Sequence, residues 1–204
     1  LFRDRVAAGE ALLAENPQCN VIVADDGMQH YRLRRCAEVA VFDGRGIGNG
    51  RLLPAGPLRE PVARLRAATA VIWNSAPKCR FPDAAPPQFA MRLRADGFCA
   101  LACPETRCTA DDLRGRRLHA LAGIGDPNRF FAQLTAMGLE FTAHPFPDHH
   151  VYTSGDFAFA ADGVLLMTEK DAVKCAAFPL REAWVLPVDA QFDTEDASAL
   201  LELL

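Results

Sequence analysis

Apolar and polar positions along this chain fall into short blocks whose period keeps switching between that of a helix and that of a strand. Arg3–Asn16 carries Val6, Leu12 and Leu13 at helical spacing and stops at Asn16-Pro17, which predicts a helix. The apolar run Val21–Ala24 predicts a buried strand ending on Asp25-Asp26-Gly27. A second strand, Glu38–Phe42, ends on Asp43-Gly44. After a glycine-rich loop, Gly44–Gly56, the pattern predicts a helix over Pro57–Ala68 and a strand over Ala70–Trp73. Strand, loop, helix, strand is the grammar of a parallel sheet.

Ala76–Pro87 is proline-rich and aperiodic, so it marks a boundary. Two short apolar stretches within Gln88–Ala102 flank Asp96-Gly97, a pair that suits a tight hairpin. From about Asp111 a second unit begins. It comprises a strand Leu118–Ala122, a Gly123–Pro127 turn, a helix Asn128–Met137, a strand Leu139–Phe146, a strand Val164–Met167 with a helix after it, a strand Ala183–Val188 and a closing helix Glu195–Leu204. The expected architecture is α/β with mostly parallel sheets: a first domain over 1–85, a hairpin linker over 86–103 and a second α/β domain over 104–204.

Composition narrows the class. The chain has 204 residues, half of them apolar and 24% charged, which is ordinary for a globular protein with a sizeable core. A net charge of −4 argues against a nucleic-acid partner. Two local basic clusters remain, Arg32, Arg34 and Arg35, then Arg59, Arg64 and Arg66; each reads as a solvated face or an anion site. The seven cysteines form no C-x-x-C pair and are expected to be buried free thiols in a reducing cytosol. No apolar run approaches the roughly 18 residues of a membrane span, and no signal peptide is seen. The chain opens on Leu1 in mid-helix pattern, so it reads as a fragment.

Several residues carry chemistry. Asp25 and Asp26 stand at the C-terminal edge of a predicted parallel strand, where open α/β sheets bind ligands. Paired carboxylates there suit Mg²⁺, which takes hard oxygen ligands and stays bridged to phosphates. Gln29 and His30 follow closely enough to reach the same shell, although His30 alone could be a packing residue. Gly44–Gly50 has neither G-x-G-x-x-G spacing nor a G-K-[ST] ending, so it reads as a flexible turn. Arg59-Glu60 near a helix start is either a phosphate fork braced by a carboxylate or a surface ion pair. Asp148-His149-His150 could form an acid–base dyad or a metal fragment lacking other ligands, with at most one histidine serving the site. Thr168-Glu169-Lys170-Asp171 places a lysine at a helix start, to bind an anion or merely to cap.

Taken together, these motifs resemble one family, the tetraacyldisaccharide 4′-kinases (lipid A 4′-kinases, LpxK). The resemblance rests on Asp25–Leu33, Gly48-Asn49-Gly50 with Leu53–Glu60, and Ala70–Asn74. It continues through Ala122–Gly125 with Pro127, Arg129, Phe130 and Phe131, the Asp148-His149 step, Met167–Cys175, and Trp184 with Leu186–Ala190. It implies ATP- and Mg²⁺-dependent phosphorylation of the 4′-hydroxyl of tetraacyldisaccharide 1-phosphate, in lipid A biosynthesis. It implies an enzyme peripheral to the cytoplasmic face of the Gram-negative inner membrane, touching the membrane mainly through an N-terminal segment. The implied fold is two α/β/α sandwiches, the first P-loop NTPase-like, joined by a two-stranded linker beside a catalytic cleft. By motif, Asp25 and Asp26 become metal-holding acids, with Gln29 and His30 close to the nucleotide phosphates. Arg59 and Glu60 line the phosphate end, and His149 with Asp148 lies near the reacting hydroxyl. Lys170 and Asp171 are second-domain contributors toward the nucleotide. The family's phosphate loop and proposed base aspartate precede the Asp25 strand, so the 204 residues are expected to be catalytically incomplete alone. The competing reading is a non-catalytic nucleotide- or sugar-phosphate-binding module.

Overall fold

The computed structural model describes residues 4–74, 81 and 85–204. Much of the boundary segment Ala76–Pro87, and the Arg3 end of the first predicted helix, therefore lie outside the described residues. Contacts divide the chain into two units, one of residues 1–92 with 191–204, the other of residues 93–190.

In the first unit, α1 (Arg5–Glu15) starts where the Asp4 carboxylate accepts the Val6 N–H at 2.9 Å, an N-cap that satisfies one orphan donor. Strands β1 (Val39–Asp43), β2 (Ala70–Asn74) and β3 (Gln88–Arg94) run parallel. The central strand β2 is apolar on both faces. Its Val71 and Trp73 pack with Ala40, Leu65 and Phe81, while Ala70 and Ile72 pack on the other side with Phe89 and Leu200. Period-two alternation places successive side chains in different cores.

Two expectations fail here. Val21–Ala24 forms no strand among the described residues, and Val21 and Val23 are 70% and 89% exposed. An apolar run becomes a strand only where a neighbouring strand takes its N–H and C=O groups; here the Cys19 thiol reaches the Val21 carbonyl at 3.2 Å, and no described strand pairs with the segment. The helix over Pro57–Ala68 shrinks to a 3-10 helix, Val62–Ala67, capped by Pro61. Prolines 57 and 61 supply no N–H to an earlier turn.

The second unit contains β4 (Phe98–Ala100), β5 (Arg107–Cys108), α2 (Ala110–Leu113), β6 (Leu118–Ala122), α3 (Pro127–Ala136), β7 (Thr142–Pro145), a 3-10 helix (Ser154–Ala160), β8 (Val164–Thr168), α4 (Glu169–Cys175) and β9 (Ala183–Leu186). Its sheet runs β5-β4-β9-β8-β6-β7, with β9, β8, β6 and β7 parallel and β4 antiparallel to both neighbours. Strands β6 and β8 feed both faces: Ala120 and Leu166 into one core, Leu121, Leu165 and Met167 into the other.

The chain then returns to the first unit through β10 (Asp189–Phe192) and α5 (Thr194–Leu203). The first sheet is therefore β1-β2-β3-β10, and Leu200 of α5 packs against Ala70, Ile72 and Phe89. This corrects the division into 1–85, 86–103 and 104–204. It also corrects the hairpin: both edges of β3 are occupied, by β2 and β10, so β4 pairs with β5 and β9 in the other sheet. The two strands that carry the chain between units are β3 and β10. Among the described cysteines only Cys175 is fully buried, and burial pushes its thiol up to about 12; Cys36 and Cys103 are exposed.

Candidate functional site: an acid turn and a strand-edge carboxylate

Asp25 and Asp26 lie in the turn after the exposed Val21–Ala24 segment. The turn holds Asp26 at φ 51°, a left-handed conformation that non-glycine residues adopt only when held there. Both oxygens of Asp26 accept from Arg59 Nη1, at 2.6 and 2.8 Å. The Arg59 hydrogen bond and charge hold the Asp26 carboxyl below its ordinary range, and the carboxylate raises the guanidinium in turn. Arg5 Nη1 donates to the Asp25 carbonyl at 2.6 Å, and the His30 N–H donates to the Gly27 carbonyl at 3.0 Å. The acid pair thus presents its carboxylates outward from a fixed backbone.

Glu60 is the hub beside this turn. Gln29 Nε2 donates to one of its oxygens at 2.9 Å and the Tyr31 hydroxyl to the other at 2.7 Å. Arg64 Nε adds an ion pair at 3.3 Å. Burial alone would raise the Glu60 carboxyl; the Tyr31 and Gln29 hydrogen bonds with the arginine charges outweigh it and leave the group lowered. The stretch over residues 49–58 that delivers Arg59 and Glu60 is closely stitched. Asn49 Nδ2 donates to the Ala55 carbonyl at 2.8 Å, Leu53 N–H to the Leu58 carbonyl at 2.9 Å and Gly56 N–H to the Leu52 carbonyl at 3.0 Å. A Cβ on Gly56 would fall 2.3 Å from the Arg51 carbonyl oxygen, so only glycine fits.

In the second unit the predicted residues collect at the C-terminal edge of β6, β7 and β8. Asp148 Oδ1 accepts from Lys170 Nζ at 2.8 Å, and this bond lowers the Asp148 carboxyl, with His149 contributing less. His149 is 78% exposed, with Nε2 at 3.6 Å from Asp148 Oδ2. His150 turns elsewhere, pairing with Asp156 at 3.2 Å and packing on Phe146 and Tyr152, so the two histidines do separate work.

Asp171 corrects its expected role beside the nucleotide. It is fully buried, accepting from the Thr168 hydroxyl (2.7 Å), the Tyr152 hydroxyl (2.9 Å), the Gly123 N–H (3.1 Å) and Lys174 Nζ (3.4 Å). Its oxygens are spent closing the crevice between the β6 and β8 loops, where strand order reverses and a ligand would otherwise enter. A Cβ on Gly123 would fall 2.5 Å from the Tyr152 hydroxyl, so that hydroxyl would have to move to admit one.

The structure therefore brings Asp26, Gln29, Arg59 and Glu60 into one bonded cluster and Asp148, His149 and Lys170 into another. Asp25 stands beside the first through its backbone. Tyr31 and Glu38 join the cluster without having been singled out as site residues. Arg35 and Arg64, read from the sequence as solvated faces or anion sites, lie in ion pairs with side chains only 21% and 19% exposed. The i,i+3 spacing of Arg35 and Glu38 and the i,i+4 spacing of Glu60 and Arg64 were the available signal. No group of three or more His, Cys, Asp or Glu side chains able to hold a metal occurs among the described residues.

The LpxK profile, described as tetraacyldisaccharide-1-P 4′-kinase, matches residues 1–204. The chain is 53% identical over 203 residues to the tetraacyldisaccharide 4′-kinase of Dechloromonas aromatica, covering 99% of this chain and 60% of that one. It is 52% identical over 202 residues to the corresponding kinase of Azoarcus sp., covering 99% and 59%. Its fold superposes with a TM-score of 0.76 on the crystal structure of the "apo" form of LpxK from Aquifex aeolicus in complex with ATP. That match is 27% identical and covers 96% of this chain and 60% of the other. The chain spans about 60% of the length of these relatives. It belongs to the tetraacyldisaccharide-1-P 4′-kinase family.

Proposed function

We propose that the whole protein transfers the γ-phosphate of ATP to the 4′-hydroxyl of tetraacyldisaccharide 1-phosphate, and that this chain supplies part of the machinery. The observation that carries the reading is the Asp26–Arg59 pair within the braced turn, in a chain of this family. The donor set fits Mg²⁺: Asp25 and Asp26 offer hard oxygens, and two carboxylates suffice for an ion that keeps waters and binds phosphates. When bound, the ion would neutralise charge between the transferred and leaving phosphates. Asp25 and Asp26 would hold it, and Arg59, already aligned by Asp26, would offer its remaining N–H groups to phosphate oxygens. Gln29 Oε1 accepts from that guanidinium at 3.5 Å, and Glu60 holds Gln29. Asp148 and Lys170 hold the loop that carries His149, whose exposed imidazole can assist removal of the hydroxyl proton.

The glycolipid substrate supports a place at the cytoplasmic face of the inner membrane, held peripherally. Among the described residues no helix is long and apolar enough to cross a membrane. The non-catalytic module is not favoured, because the similarity extends across nearly the whole chain to proteins named as kinases. The test is transfer of labelled γ-phosphate by the purified full-length protein to tetraacyldisaccharide 1-phosphate with Mg²⁺. Incorporation that disappears with chelator is expected; its absence in a folded, ATP-binding preparation would overturn the reading.

A further inference from the structure

We propose that Glu38 is a positioning residue for this reaction, acting as a clasp between the acid turn and Glu60; the proposal rests on the kinase reading above. Its backbone is anchored independently of the site. The Glu38 N–H donates to Thr69 Oγ1 at 3.0 Å, and its carbonyl accepts the N–H of Thr69 at 2.7 Å and of Ala70 at 3.3 Å. The carboxylate is therefore fixed at the entry of β1 against β2, with its side chain only 10% exposed.

From that base it holds two guanidinium groups. Arg64 Nη2 donates to both Glu38 oxygens at 2.7 and 2.6 Å, and Arg35 Nε forms the second ion pair. Each arginine then reaches a different part of the site. Arg35 donates to the Gly27 carbonyl at 2.7 Å and the Met28 carbonyl at 3.1 Å, the two residues that follow left-handed Asp26. Arg64 meets Glu60 at 3.3 Å. The Tyr31 ring lies within 6.0 Å of the Arg35 guanidinium and 5.9 Å of that of Arg64, while its hydroxyl also binds Glu60.

The charges balance locally: two guanidinium groups face Glu38 and Glu60. Neutralising Glu38 removes the carboxylate that both half-buried guanidinium groups share, and Arg35 loses the anchor from which it reaches the Gly27 and Met28 carbonyls. Freed, the Asp25–Met28 turn loses the contact that holds Asp26 in its uncommon backbone conformation. Displacement of a positioned group by about an ångström is enough to cost large factors in rate, and loss of a supporting carboxylate behind site residues costs about tenfold or more.

The experiment uses the full-length enzyme with Glu38→Gln, Glu38→Asp and Arg35→Lys. Glu38→Gln should lower kcat about tenfold with KM for the glycolipid within about twofold, and Glu38→Asp should restore part of the loss. Exchange of the His30 amide, bonded to the Gly27 carbonyl, should quicken about tenfold while amides of β2 keep parental rates. If Glu38→Gln fails to fold, Arg35→Lys carries the test, since lysine keeps the charge but cannot span two carbonyls. Parental kcat and parental His30 exchange in an active background overturn the clasp alone. A parent enzyme that transfers no phosphate overturns the kinase reading and Glu38's part in it.

Discussion

The two units hold their candidate residues by different means. In the second, Lys170 follows β8, whose side chains are buried on both faces, Asp148 and His149 follow the exposed edge strand β7 and are tied to Lys170, and the fully buried Asp171 ties the β6 and β8 loops together. In the first, the acid turn follows a segment with exposed Val21 and Val23, and its geometry depends on arginine bonds to a carboxylate and to backbone carbonyls. A strand edge inherits precision from its sheet; a turn without a strand must borrow it from charge. Variants that remove a bond in each unit should separate these two modes.

The largest expected effect is on stability in the second unit. Asp171→Ala would orphan the Gly123 N–H and the Tyr152 hydroxyl inside the protein and leave Lys174 half-buried without its carboxylate. Losing one side of such a buried network costs about 3 kcal/mol. Urea denaturation followed by tryptophan emission would measure it. A loss below about 1 kcal/mol would mean the crevice is held by packing alone.

Turnover comes next. In the full-length enzyme Asp26→Ala and His149→Ala should each lower phosphoryl transfer at least about tenfold, or about 1.4 kcal/mol of barrier. His150→Ala should stay near parental kcat, because that imidazole faces Asp156. Near-parental activity in Asp26→Ala would remove the acid turn from the site. A tenfold loss in His150→Ala would remove the distinction between the two histidines.

How much of this was legible follows the same division. Strands β2 and β8 were plain because each shows four apolar residues in a row, and β6 because only His119 interrupts its apolar run. Val21–Ala24 looks the same on paper, but an apolar run does not say whether a partner strand is present. Strand β10 reads Asp-Ala-Gln-Phe and carries no apolar pattern, so the return to the first sheet was invisible, and α5 was assigned to the wrong unit. Among site residues the acid pair, Arg59-Glu60 and Asp148-His149 were visible as local motifs. The bonds that matter to them were not: Arg64 meets Glu38 across 26 positions, and Gln29 meets Glu60 across 31. Asp171 had the wrong role because spacing at a helix start does not distinguish a carboxylate aimed outward from one turned into the core.

A smaller effect tests the second unit through pH. His119 Nδ1 and His144 Nε2 approach to 3.1 Å, with His144 stacked on Phe159 at 3.5 Å between ring centres. Burial, then the neighbouring His119, lowers the His144 pKa. The unfolded chain takes up this proton near pH 6.5, while the folded one resists it, so the unfolded state binds more protons just below that pH. Stability should therefore fall as pH drops below about 6.5 and level off once the folded imidazole is also protonated. His144→Gln keeps a hydrogen-bonding side chain beside His119 without a titrating imidazole. Denaturation midpoints at successive pH values should show a shallower acid slope for it; an unchanged slope would assign the acid sensitivity to other groups.

The smallest expected effect is the sharpest comparison, because the same chemistry occurs in both units at different depths. Arg116 forks onto Glu182 at 2.8 and 2.6 Å, much as Arg64 meets Glu38 at 2.7 and 2.6 Å. The first pair is 41% and 36% exposed, the second 19% and 10%. Glu182 also accepts from Trp184 Nε1 at 3.0 Å, so it keeps a partner and its access to water when Arg116 is removed. Arg116→Ala should cost under about 1 kcal/mol, as exposed pairs do. Arg64→Ala should cost more, because it strips a partner from the half-buried Glu38 and Glu60 together. Equal losses in the two denaturation curves would show that the first unit leans on its ion pairs no more than the second does.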